Sequence, residues 1–254
     1  MRAAPMTALG RSPLLACAFG LGACAAPDEA HVADVVVDAP GAGTEGFADP
    51  ARATNGVRGG GELAGSLDVY SLDYRARPSI TLAFSGGVVV DGPGADIVVF
   101  ENGFREIGRD AWFMDPIVVE VSPDGVEWLA FPHDYVAEDE TRYEPRPTAW
   151  RGFAGLSPVL LHAETNPVDP FDTTRAGGDA FDLATLGTGS RDDAEARALA
   201  ERVRAEGVAF LRLTSAALLT NPDTGLPYPR DPISDGADID GVAARHVVPA
   251  PGPR

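Results

Sequence analysis

Residues 79–100 read Ser79-Ile80-Thr81-Leu82-Ala83-Phe84-Ser85-Gly86-Gly87-Val88-Val89-Val90-Asp91-Gly92-Pro93-Gly94-Ala95-Asp96-Ile97-Val98-Val99-Phe100. Ser79–Phe84 runs with period two, the pattern of a strand that turns one face to a core. Val88–Val90 and Ile97–Phe100 are short β-branched runs, and the Asp91-Gly92-Pro93-Gly94 turn between them predicts a hairpin. The same grammar recurs outward at Val32–Val37, Leu67–Tyr74, Ile117–Ser122, Glu127–Phe131, Pro158–Leu161, Val208–Thr214 and Ile239–Val247. Ser122-Pro123-Asp124-Gly125 predicts a second hairpin. Many short strands between Gly/Pro turns imply an all-β, antiparallel sandwich. One segment departs from this. Arg191–Glu206 places Ala196, Leu199, Ala200 and Val203 at helical spacing, with Ser190 and Asp193 as a capping box and Gly207 as a stop. It predicts a single amphipathic helix inserted before the Val208 strand.

Composition bounds the function. At 254 residues and 44% hydrophobic, the chain can bury a real core. Gly 29 and Pro 22 fit a turn-rich β-protein. Every basic residue is Arg, so chemistry that needs a P-loop, Schiff-base or kinase lysine is excluded. Thirty-eight acids against 20 Arg give a net charge of −18, which argues against a nucleic-acid partner.

The N-terminus carries Arg2 and Arg11, no acid before Asp28, and an apolar run from Leu14 to Ala23. That is a secretory signal pattern, too short to cross a bilayer. Its end, Leu21-Gly22-Ala23-Cys24, resembles the lipobox of bacterial lipoproteins. The resemblance implies cleavage before Cys24, acylation of that cysteine, and export to a membrane surface. A disulfide between Cys17 and Cys24 is the competing reading. Ala25, standing where an inner-membrane retention signal carries Asp, implies the outer membrane or cell surface. Removal of residues 1–23 takes the net charge from −18 to −20 and leaves no second cysteine. The expected organisation is a signal at 1–23, a lipidated tether at 24–30, one β-sandwich domain at 31–248 and a tail at 249–254.

Several catalytic-looking motifs lack their context. Gly41-Ala42-Gly43-Thr44-Glu45-Gly46 matches G-x-G-x-x-G, but no helical period follows to receive a pyrophosphate. Ser85 resembles a nucleophile elbow, yet Val88–Val90 reads as strand rather than helix. His31, His133, His162 and His246 have no zinc spacing.

Carboxylates cluster at strand ends: Asp96 through Asn102, Asp179 with Asp182, and Asp235 through Gly241. In an extended chain Asp238 and Asp240 share a face, so a cation could sit between them. Calcium takes six to eight hard oxygens, which such loops can supply, and a thiol-free exported domain gains from a metal clip. The expected ligands are Glu101, Asn102, Asp182, Asp238 and Asp240, with Asp96 as a sixth candidate. The alternative is that these are solvated turn acids.

Val90–Asn102 (V-D-G-P-G-A-D-I-V-V-F-E-N) resembles a signature shared by a largely uncharacterised family of bacterial cell-surface lipoproteins. Gly65–Tyr70, Ile117–Trp128, Ala176–Leu183 and Ser234–Val242 agree in order, over residues 55–248. The E-V-S-x-D-G-x-x-W hairpin is also similar to discoidin modules, which are galactose-binding-like jelly rolls. These resemblances imply a jelly-roll sandwich, loops at one end that bind glycans or lipid head groups, and structural calcium. The Arg191–Glu206 helix and the lack of a closing disulfide depart from the discoidin pattern, so no ligand carries over. Trp128 is expected in the core after the turn, with a ligand platform as the alternative. The expected function is a lipid-anchored, non-catalytic binding or structural module that meets a glycan or an envelope component. The alternatives are an extracellular glycan hydrolase using paired carboxylates and an envelope scaffold.

Overall fold

The computed structural model describes residue 1 and residues 29–250. Residues 2–28, which hold nearly all of the expected signal segment together with Cys17 and Cys24, and residues 251–254 lie outside the described residues. Two five-stranded antiparallel sheets dominate. In the first, Asp238–Ala244 lies between His31–Val32 and Ile97–Glu101, Asp179–Phe181 closes the far edge, and Tyr70–Ser71 also pairs with Asp238–Ala244. In the second the order is Leu129–Ala130, Ile117–Ser122, Phe210–Ser215, Ser79–Ala83, Val35–Asp38. The fold is an all-β antiparallel sandwich with one substantial helix, as the strand grammar predicts.

Alternation builds the core. Ile80, Leu82, Val119, Val121, Leu211 and Leu213 of the second sheet meet Ile97, Val99, Ile239 and Val242 of the first. Val98 and Phe100, on the other face of their strand, pack with Val57, Val159 and Leu161 in a second cluster. The Ile97–Phe100 run is therefore buried on both faces, which is why it shows no polar alternation. Each buried aliphatic side chain contributes about 1.5–3 kcal/mol. A third cluster is aromatic: Trp150 packs tilted against Tyr135 with ring centres 4.0 Å apart and meets Phe153 edge-on at 5.3 Å.

The structure corrects several expectations. Asp91–Gly94 does not close a hairpin: Val88–Val89 pairs with Val247–Val248, while Ile97–Glu101 takes Asp238–Ala244 and Asp179–Phe181 as neighbours. A strand buried on both faces draws long-range partners that bury it more fully than a local turn partner would. The second hairpin does form, with Leu129 opposite Val121. Val32–Val37 splits between the two sheets, and Pro158–Leu161 makes an isolated bridge rather than a strand. The helix spans Ala194–Glu206 rather than starting at Arg191, because the Asp193 carboxylate itself accepts from the amides of Glu195 and Ala196. Gly207, at φ +85°, ends it as expected. Trp128 is half-buried outside the core: Arg212 lies over its ring at 4.2 Å and grips Glu120 with two hydrogen bonds of 2.7 Å.

Candidate functional site

Glu101 is the last residue of its strand and follows Ile97 and Val99 in the row that faces between the sheets. Alternation thus carries a carboxylate into the interior just where the apolar row ends, and Glu101 is only 3% exposed. Asp115 precedes the Ile117–Ser122 strand of the other sheet in the same parity as Ile117 and Val119. Both acids open on a cleft of about 480 Å³ that also receives Asn102, Asp231, Asp238 and the Phe104 and Phe113 rings. Six carboxyl groups line this cleft against one guanidinium, that of Arg77.

The hydrogen bonds distribute unevenly. The Asp238 amide donates to Glu101 Oε1 at 3.1 Å, and the Asn102 amide donates to the Asp238 carbonyl at 2.9 Å. Ser71 Oγ donates to Asp238, and Asn102 is pinned by the Ser66 backbone through both ends of its amide. Asp115 accepts from the Tyr74 hydroxyl at 2.8 Å and from Ser234 Oγ at 2.5 Å. Glu101 Oε2 is fully buried and has no hydrogen-bond partner among the described residues.

Burial, with the like charges of Asp115 and Asp238 added, holds the Glu101 carboxyl well above the usual carboxylate range. Burial also pushes Asp115 up to about 6, against the hydrogen bonds from Ser234 and Tyr74. Asp238 and Asp231 are raised by the same cause. Asp73 goes the other way, lowered by the amides of Arg75 and Ala76. These crowded, poorly solvated acids resist ionisation for want of a compensating positive charge, which a bound cation would supply.

The orphaned oxygen has company. A methyl group built on Gly103 would lie 3.2 Å from Glu101 Oε2, 3.4 Å from the Phe113 carbonyl oxygen and 3.5 Å from the Gly155 carbonyl oxygen. One carboxylate and two carbonyl oxygens therefore gather around a space kept open by the absence of a side chain. Gly155 has φ +84°, and a Cβ there would come within 2.6 Å of the Asp115 carbonyl, so only glycine lets this segment approach. Hard, mixed carboxylate and carbonyl oxygen is the donor set that calcium takes.

The expected ligands fall into three groups. Glu101, Asn102 and Asp238 come together in the cleft. Asp240 does not join Asp238, because the register of the last strand slips between Ile239 and Gly241 and leaves Asp240 at a bulge. There it accepts from the Arg58 amide at 2.7 Å, keeps Oδ2 buried and unpaired, and is pushed up by burial to about 7. Asp96 and Asp182 lie at the other end of the Ile97–Glu101 strand, five residues or roughly 16 Å from Glu101. With Asp91 they form the one acidic triad among the described residues whose ligand oxygens lie within 4.8 Å of one another. Asp96 is committed there to the Gly92 and Leu183 amides and to His246, and Asp182 caps the turn at Ala184.

No family model matches the chain, and no curated protein matches it in sequence. Sequence reasoning missed Asp115 and Asp231, which stand in no acidic run, and the Phe113 and Gly155 carbonyls, which carry no side-chain signal at all. No helix among the described residues is long and apolar enough to cross a membrane.

Proposed function

We propose that this chain is an exported, lipid-anchored, non-catalytic binding or structural module whose acidic cleft takes up a calcium ion, with Glu101 Oε2 as its anchoring ligand. The observation that carries the reading is the buried, unpartnered Glu101 Oε2 beside the Phe113 and Gly155 carbonyl oxygens. A buried polar atom without a partner costs about 1–3 kcal/mol, more when charged, and an ion removes that cost. Asp115 and Asp238 add negative charge around it, and solvent supplies the remaining ligands. Bound calcium would tie the Ile97–Glu101 strand to the Phe113 and Gly155 segments, a clip for a domain whose described part holds no cysteine. Export, the anchor at Cys24 and the cell-surface address rest on the lipobox resemblance and the apolar N-terminal run.

The test is a thermal melt of the purified protein after chelator treatment, with and without millimolar calcium. A large rise in midpoint, lost in Glu101→Gln, is expected. An unchanged midpoint overturns the calcium reading.

A second reading has its own observation. Glu101 is raised and Asp73 lowered on one cleft, the divergence that acid and base partners show. A glycan hydrolase built on them would lose all activity in Asp73→Asn as well as in Glu101→Gln, and would release reducing ends without calcium.

A further inference from the structure

A separate pocket of about 320 Å³ opens where the chain after Ala130, the Trp150–Arg151 strand, the segment before the helix and Tyr228 meet. Its size falls at the small end of small-molecule sites. The half-exposed Pro132 and His133 form its apolar wall, beside Phe131 and Tyr228, which are 2% and 3% exposed, and the His133 and Tyr228 ring centres lie 6.1 Å apart.

The ionic groups in this pocket are nearly all committed. Arg191 is shared between Asp134, at 3.5 Å, and Asp223. The Asp192 carboxylate accepts from the Gly189 amide at 2.7 Å. Arg151 differs: its guanidinium takes part in no ion pair, side-chain hydrogen bond or ring stack among the described residues. In a chain with 38 acids and 20 Arg, a guanidinium left without a carboxylate in a pocket wall is a free anion-recognition group.

Two neutral groups face the same space. Tyr228 is 3% exposed, yet its hydroxyl touches solvent and makes no hydrogen bond among the described residues. His133 Nδ1 lies 2.8 Å from the Phe131 carbonyl, which fixes the proton on Nδ1 and leaves Nε2 as an acceptor. Burial lowers its pKa and so keeps the ring neutral. The pocket thus offers a fork for one carboxylate, a hydroxyl that donates or accepts, an acceptor nitrogen, and the half-exposed Pro132 and His133 for C–H contact.

We infer that this pocket binds a single hexuronic acid, its carboxylate on Arg151, its hydroxyls on Tyr228 Oη and His133 Nε2, and its C–H face against Pro132 and the His133 ring. The net charge of −18 repels a long polyanion, so the sugar is free or is the end residue of a chain. This inference rests on the reading of the protein as a binding module, but on none of the residues around Glu101.

Isothermal titration of the purified protein, in chelator, with galacturonate, its methyl ester, galactose and acetate tests it. Galacturonate is expected to bind, with the ester and galactose weaker by tenfold or more and acetate undetectable. Arg151→Ala, at an exposed residue, and Tyr228→Phe should each weaken galacturonate at least tenfold with an unchanged melt. A galacturonate trimer that binds as tightly as the monomer places a chain end in the pocket, and one that does not bind leaves the free sugar as ligand. No heat with galacturonate, equal affinity for galactose, or an unaffected Arg151→Ala overturns the inference. The calcium-dependent melt is read separately, so failure here leaves the Glu101 site standing and the reverse holds too.

Discussion

The backbone amide of Asp238 holds Glu101 Oε1 at 3.1 Å and leaves Oε2, on the same carboxyl group, buried with no partner among the described residues. One oxygen is fixed by the sheet and the other is available to a ligand. This asymmetry makes Glu101→Gln informative. With chelator present, burial already favours the neutral form of Glu101, so the variant exchanges one neutral group for another of the same shape and its midpoint should stay close to that of the unsubstituted protein. With calcium at a hundredfold over its dissociation constant, the unsubstituted protein gains about 2.7 kcal/mol and the variant nothing. Differential scanning calorimetry in both buffers gives the comparison, and a variant destabilised in chelator speaks against the assignment.

Gly103→Ala tests the space itself. The added methyl group would sit 3.2 Å from Glu101 Oε2 and between the two carbonyls. Overpacking of this kind costs about 1–3 kcal/mol. The expected result is a modestly lower midpoint in chelator and loss of the calcium response, followed by melts at increasing calcium. A response that survives would place the ion elsewhere.

Asp240 supplies a pH dependence apart from the cleft. Burial raises it in the folded state to about 7, from the ordinary aspartate value of 3.8. The folded protein therefore binds this proton more tightly than the unfolded chain. The stabilisation is complete below about pH 4 and is lost as pH rises through about 7. Asp240→Asn, which cannot titrate, should lose less stability between pH 5 and pH 8 than the unsubstituted protein. Melts across that range in chelator decide it, and parallel curves would contradict the assignment.

Asp96 should behave as a structural clamp. Asp96→Ala deprives the Gly92 and Leu183 amides and His246 of a shared acceptor. The loss should be roughly 3 kcal/mol, read from urea unfolding. The calcium shift should persist, because Glu101 lies at the opposite end of the strand. If the shift vanishes instead, the Asp91–Asp96–Asp182 triad holds the ion.

Local pattern determined much of this protein. Alternation in Ser79–Phe84, the β-branched runs, the Ser122–Gly125 turn and the helical spacing from Ala196 to Val203 specify strands, one hairpin and one amphipathic helix, because each depends on neighbours a few residues away. Glu101, Asn102 and Asp238 were legible as an acidic group at strand ends for the same reason. Tertiary structure decided what those elements meet. The bulge at Asp240 undid the shared face expected with Asp238, since a slipped register changes which side of the sheet a residue occupies. The Val88–Val89 strand passed over its turn neighbour for Val247–Val248, and Asp115, Phe113 O and Gly155 O reached Glu101 only because the two sheets close over a common core. Spacing along the chain fixes the face a side chain takes within its own element. Sheet register and packing fix which faces converge, and both the acidic cleft around Glu101 and the Arg151 pocket are products of that convergence.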